Sequence, residues 1–140
     1  MAHFALVVAR FYEELATRLE AGARAALEAH GTVEAFAVPG AYELAAAAKY
    51  AARSGRFDGV VCLGAVIRGE TDHYDHICAA AAAGIQQVGL STGVPCSFGV
   101  LTVETYEQAL ARSGGNKRDS GRHAAEAVLA LVAVREQLSS

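Results

Sequence analysis

The residues best suited to chemistry stand together from Gly69 to His76, in the run Gly-Glu-Thr-Asp-His-Tyr-Asp-His. Within it, His73 can move a proton near neutral pH, because an imidazole changes charge there. Just before it, Gly69-Glu70-Thr71 precedes a segment compatible with a helix from Tyr74. A helix start leaves backbone N–H groups without partners, and together with the helix dipole they favour an anion such as phosphate. An anion cradle two residues from an acid–base group is the chemistry this spacing offers. A tight turn with a threonine cap would use the same residue types. For an anion site, the Glu70 carboxylate must point outward while its amide faces the ligand.

A metal site is the competing use of the same stretch. His73 and His76 lie at i and i+3, near enough on a helix to share an ion, and Asp75 and Cys78 could add ligands. No second His/Cys cluster completes a ligand set, so no metal is expected. Arg112 closes a short predicted helix, where a cation complements the dipole without any ligand. A planar guanidinium equally suits bidentate phosphate binding. Phe11 and Phe98 fit either a core or an exposed stacking role. Gly114-Gly115-Asn116-Lys117 lacks the Gly-x-x-x-x-Gly-Lys-Ser/Thr spacing of a phosphate loop.

The elements that must position these groups follow from the hydrophobic pattern. Phe4–Ala9, Thr32–Val38 and Val60–Ile67 read as strands, the last free of charge and suited to burial on both faces. A short strand is predicted over Gln86–Leu90 and a fifth over Phe98–Val103. Helices are predicted from Glu13 to about Ala29, with Leu15, Leu19, Ala23 and Leu27 on one face, and from Tyr42 to Ala52. Further helices are expected over Tyr74–Ala83, ended by Gly84, over Thr105–Arg112, and from the polar stretch near Arg122 to about Leu138. Alternating strands and helices imply an α/β domain with a mostly parallel sheet, whose ligands gather outside the carboxyl ends of the strands. Phe11, Pro39–Glu43, Arg68–His73 and Phe98 all fall near predicted strand ends or the starts of the next elements.

Composition narrows the class. The 140 residues, 53% hydrophobic and 19% charged, suit a single folded domain over residues 1–140. A net charge of −3 without a dense Lys/Arg run argues against nucleic acid as the main partner. No apolar run is long enough to span a bilayer, and no charged-then-apolar leader opens the chain. Cys62, Cys78 and Cys96 form no Cys-x-x-Cys pair and read as reduced core thiols of a cytoplasmic protein.

Several segments together resemble the 6,7-dimethyl-8-ribityllumazine synthase family, also called the riboflavin synthase β-chain family. They are Arg10-Phe11, Val38-Pro39-Gly40-Ala41-Tyr42-Glu43, the long run Gly64 to Asp75, Phe98-Gly99-Val100-Leu101-Thr102 and Gln108-Ala109-Leu110-Ala111-Arg112. The resemblance covers nearly the whole chain and implies a flavodoxin-like three-layer α/β/α sandwich. It implies the penultimate step of riboflavin synthesis: condensing 5-amino-6-(D-ribitylamino)uracil with 3,4-dihydroxy-2-butanone 4-phosphate, releasing phosphate, without metal or organic cofactor. A catalytically weakened member that binds a pyrimidine or serves as an assembly scaffold is the alternative. The expected partners are small-molecule substrates and other copies of the chain, as a homopentamer, a decamer or a shell of sixty, with each site between neighbours.

Carried over by position, the resemblance gives Phe11 a stacking role on the pyrimidine. Ala41, Tyr42 and Glu43 would line the aminouracil site, with Glu43 meeting the ribityl hydroxyls. Ala65, Val66 and Ile67 would contact the pyrimidine through backbone groups, and Phe98 would reach it from the adjacent subunit. Glu70, Thr71 and Arg112 would hold the phosphate, and His73 would be the proton donor. Three departures stand out. Where the family usually has Asn-Lys-Gly-x-Glu-Ala-Ala, this chain has Asp119-Ser120-Gly121-Arg122-His123-Ala124-Ala125, so Ser120 and His123 replace the usual Lys and Glu. Lys117 and Arg122 are the nearby cations that could restore the charge. Asp72 adds a negative charge beside the expected acid, and the chain opens without the leading strand many members pair with a neighbour's sheet, which argues against the shell.

Overall fold

The computed structural model describes residues 1–70, 73–115 and 117–139. Its elements in order are β1 (Ala2–Ala9), α1 (Glu13–Glu28), β2 (Gly31–Val38) and a 3-10 turn over Ala41–Glu43. There follow α2 (Leu44–Arg53), β3 (Gly59–Ile67), α3 (Tyr74–Thr92), β4 (Cys96–Val103), α4 (Tyr106–Arg112) and α5 (Ser120–Ser139). The strands form one parallel sheet in the order β2-β1-β3-β4.

Period-two side-chain alternation divides the central strands between two cores. Phe4, Leu6, Val8, Val61, Leu63 and Ile67 pack with Leu15, Leu19, Leu27, Ala125 and Val128 on the α1/α5 face. Ala5, Val7, Ala9, Val60, Cys62 and Val66 pack with Leu44, Ala48, Ile85 and Val88 on the α2/α3 face. Both faces of the inner strands are therefore covered, as in a three-layer α/β/α sandwich of flavodoxin-like kind.

Small residues let the layers approach. A Cβ at Gly121 would overlap the Leu19 carbonyl oxygen, so α5 crosses α1 in backbone contact. On the other face, a Cβ at Gly84 would lie 2.7 Å from the Ala45 methyl.

That second contact corrects two expectations. Gly84 does not end a helix, and Gln86–Leu90 is not a strand; both lie inside α3, which runs to Thr92. The buried residues Ala81, Ile85 and Val88 recur at helical spacing, and Gly84 is where α3 presses on α2. The stop comes at Gly93, whose φ of 75° is left-handed backbone that glycine tolerates. Among the described residues the sheet accordingly has four strands rather than five. The expected Tyr42–Ala52 helix is present, entered through the 3-10 turn.

All three cysteines are free thiols, with Cys62 buried in the sheet. Burial raises the Cys62 pKa, and it raises that of Cys96 to about 11. At pH 8 the Cys96 thiolate fraction is then ~10⁻³. Ellman's reagent on the native chain at pH 8 is expected to label Cys62 and Cys96 only on the timescale of opening, and all three thiols at once in denaturant. Rapid labelling of Cys62 in the native chain would contradict the packing.

Candidate active site

Strand order locates the crevice. From β1 the chain moves outward to β2, then returns past β1 to β3, so the connections after β1 and β3 diverge at that boundary. Parallel sheets bind ligands outside the carboxyl ends at such a switch point. The segments leaving it are Arg10–Phe11 and Arg68–Glu70.

Arg10 fixes the first segment. Its guanidinium donates to Glu13 at 2.6 Å, Glu20 at 2.9 Å and Thr17 at 2.7 Å, tying the end of β1 to α1. The bond to Glu13, with the Glu20 contact and both charges, holds its pKa above the ordinary arginine value despite partial burial. With Arg10 turned back, Phe11 projects outward and is 67% exposed. Its ring meets Tyr12 edge-on at 4.9 Å between centroids.

The second half of this rim is the 3-10 turn. The Glu43 carboxylate accepts from the Gly40 N–H at 3.0 Å, which sets the turn and leaves Tyr42 66% exposed. Phe11, Tyr12, Ala41, Tyr42, Glu43, Ala65, Val66 and Ile77 surround one cavity of about 200 Å³. Six of the eight residues expected to contact the aminouracil are thus gathered here. Ile67 turns the other way, 1% exposed in the α1/α5 core, so only its backbone remains for a ligand. Tyr12 and Ile77 were missed from sequence. The Tyr12 hydroxyl is buried without a hydrogen-bond partner, and its position directly after the exposed Phe11 was the available signal.

The β3–α3 loop is pinned by Arg68. Its amide donates to Val103 at 2.8 Å, and its side chain pairs with Glu104 at 3.2 Å and Asp75 at 3.5 Å. The same guanidinium lies 4.4 Å over the Tyr74 ring. His73 caps α3 and is exposed, its carbonyl accepting from Ile77 at 2.8 Å and its ring centroid 6.3 Å from that of His76. His73 does not itself line the Phe11 cavity, to which α3 contributes Ile77 one turn further on.

Glu70 behaves differently from expectation. Its amide donates to the Ile67 carbonyl at 3.2 Å, closing a turn around Gly69, whose φ is 85°. It is not a free phosphate donor in this conformation. Its carboxylate is exposed; burial raises the Tyr12 phenol and the Glu70 charge raises it further, while Tyr106 is raised by burial, then by Glu14, with Glu70 adding last. Thr71 and Asp72 lie outside the described residues. Among the described residues no group of three or more His, Cys, Asp or Glu side chains could hold a metal ion.

Phe98 and Arg112 do not join this rim. Phe98 sits near the amino end of β4, paired in register with Cys62, rather than at a carboxyl end. It is 41% exposed and lines a separate cavity of about 380 Å³ with Arg112, Arg118, Ser120 and His123. The two cavities have no lining residue in common. Arg112 donates from Nη1 to the Gln108 carbonyl at 3.2 Å, so it also closes its own helix. Arg118 was missed from sequence, because only its turn brings it to this wall.

The model of the family described as 6,7-dimethyl-8-ribityllumazine synthase matches residues 1–136. Among similar proteins, the 6,7-dimethyl-8-ribityllumazine synthase of Sphingopyxis alaskensis is 49% identical over 138 residues, covering 98% of this chain and 97% of that one. The enzyme of the same name from Salinibacter ruber is 45% identical over 96% of this chain and 89% of its own length. That of Deinococcus radiodurans is 48% identical over 92% and 84%. With the sandwich, the aromatic rim and the match along almost its full length, the chain belongs to the 6,7-dimethyl-8-ribityllumazine synthase family.

Proposed function

We propose that the chain is a transferase of riboflavin biosynthesis, condensing 5-amino-6-(D-ribitylamino)uracil with 3,4-dihydroxy-2-butanone 4-phosphate to 6,7-dimethyl-8-ribityllumazine. The observation that carries this assignment is the crevice at the β1/β3 switch point, where exposed Phe11, the Ala41–Glu43 turn, Ala65 and Val66 line one cavity with Ile77 of α3, one turn past His73. Retention of these groups favours catalysis over a scaffold role.

Phe11 stacks on the pyrimidine, whose edges meet the backbone of Ala65, Val66 and Ile67. Tyr42 borders the ring, and Glu43 takes the ribityl hydroxyls with the oxygen that does not cap the turn. The aminouracil amine attacks the ketone to give an imine with loss of water, phosphate is eliminated, and ring closure loses a second water. His73 shuttles the protons these steps need near pH 7. Arg112 stabilises the departing phosphate, with Thr71 and the start of α3. Glu70 joins them only if its turn onto Ile67 opens. Holding the two substrates together supplies a further part of the acceleration.

Phe98 and Arg112 reach the reaction from a second copy of the chain. Their separation from the Phe11 cavity on one chain supports a site built between neighbours, in a homopentamer located in the cytoplasm. No helix of the described residues is long and apolar enough to cross a membrane.

Mixing both substrates with the purified chain is expected to produce lumazine absorbance and fluorescence, without loss on chelator treatment. No product at any protein concentration would overturn the assignment. Arg112→Ala is expected to raise KM for the phosphate substrate ~10- to 100-fold, the loss of about 1.5–3 kcal/mol typical of a charged hydrogen bond. Its kcat should change little; a fall in kcat at constant KM would count against a binding role.

A further inference from the structure

The cavity beneath Phe98 has an unusual wall. Arg112, Arg118 and His123 are among its lining residues, with no Asp or Glu beside them, on a chain whose net charge is −3. Two like charges on the walls of one hollow repel each other, and an anion held between them would relieve that repulsion. The Arg118 guanidinium makes no hydrogen bond or ion pair with the described residues. The other nearby cation, Arg122, is spent on Glu126 at 3.0 Å, and neither it nor Lys117 lines the cavity.

Two further observations bear on the same hollow. Ser97 lines it, is 7% exposed, and its buried hydroxyl has no hydrogen-bond partner among the described residues. The backbone around Arg118 is also held in place. Its N–H donates to the Ala111 carbonyl at 3.1 Å, and its own carbonyl accepts from the Gly114 N–H at 3.0 Å. Ser113 and Asp119 then bridge on either side of it. Arg118 is thereby anchored to the end of α4, the helix that ends in Arg112.

We propose that Arg118 is the second phosphate-binding cation of this enzyme, acting beside Arg112 and supplying the charge that Ser120 cannot. The inference rests on the assignment made above. It moves the second cation from the first turn of α5 to the turn before it, and it makes neither Lys117 nor Arg122 the substitute.

Arg118→Ala is expected to raise KM for 3,4-dihydroxy-2-butanone 4-phosphate about 10-fold or more, with kcat within about twofold and KM for the aminouracil unchanged. Arg118→Lys, which keeps the charge, should restore KM to within about threefold. Lys117→Ala and Arg122→Ala should leave it unaltered. Inorganic phosphate, titrated calorimetrically in the absence of both substrates, should bind Arg118→Ala at least about 10-fold more weakly than the parent chain. The variant backbone keeps the bonds to Ala111 and Gly114, so circular dichroism should match the parent. A parent chain that makes lumazine while Arg118→Ala is indistinguishable from it would overturn the role of Arg118 alone. An equal rise in Lys117→Ala would overturn it as well, by showing a diffuse charge effect. A parent chain that binds phosphate through Arg118 but makes no lumazine would overturn the enzymatic assignment and leave the anion site standing.

Discussion

Replacing His73 by alanine is expected to lower kcat by about 10²-fold, the low end of what a positioned proton donor contributes, while KM for the phosphate substrate moves less than about threefold. Every stage of the condensation moves a proton, yet much of the acceleration comes from holding two substrates together, which the variant retains. His73 is exposed at the start of α3 and its imidazole takes no part in either core, so the fold should survive the change. Steady-state kinetics with each substrate varied would check the split. Unchanged turnover would remove His73 from the chemistry. A rise in KM alone would make it a phosphate ligand instead.

The largest expected effect on stability comes from Gly121→Ala. The added methyl would overlap the Leu19 carbonyl oxygen, a backbone atom that cannot rotate away. Either α5 lifts off α1 or the start of α5 distorts, and both disturb the core between Leu15, Leu19, Ala125 and Val128. Overpacking of this kind costs about 3 kcal/mol. Urea denaturation should show a lower midpoint at constant slope. Because Gly121 lies between Ser120 and His123, phosphate affinity should fall with it. A variant as stable as the parent would mean that α1 and α5 are not in backbone contact.

The sandwich was legible because its cause is periodic. Phe4, Leu6 and Val8 alternate with Ala5, Val7 and Ala9, and two buried faces follow from that alone. The failure over Gln86–Leu90 has an equally local origin. A short apolar run after a glycine fits a strand as well as a helix, and only the approach of Ala45 explains why Gly84 lies within α3.

The site divided in the same way. Phe11, Ala41, Tyr42, Glu43, Ala65 and Val66 line one cavity because each lies within a few residues of a strand's carboxyl end. Phe98, read as the first residue of its strand and expected to act from an adjacent subunit, is the third residue of β4, which begins at Cys96. Arg118 was invisible because the spacing from Arg112 crosses a turn, and hydrogen bonds to Ala111 decide where that turn delivers its side chain. The amide of Glu70 was assigned to a ligand without allowing for a bond to Ile67 three residues back.

The absence of any shared wall between the Phe11 and Phe98 hollows carries a genetic corollary. In the ring proposed above, every polypeptide lends its stacking rim to one junction and its arginines to the next. A single defective copy therefore spoils two junctions when both halves are damaged, but only one when the lesion is confined to a rim or to an arginine. Two differently crippled alleles, one lacking the imidazole and the other lacking Arg112, would still form some intact junctions when co-assembled. Such a pair would rescue each other where neither survives alone.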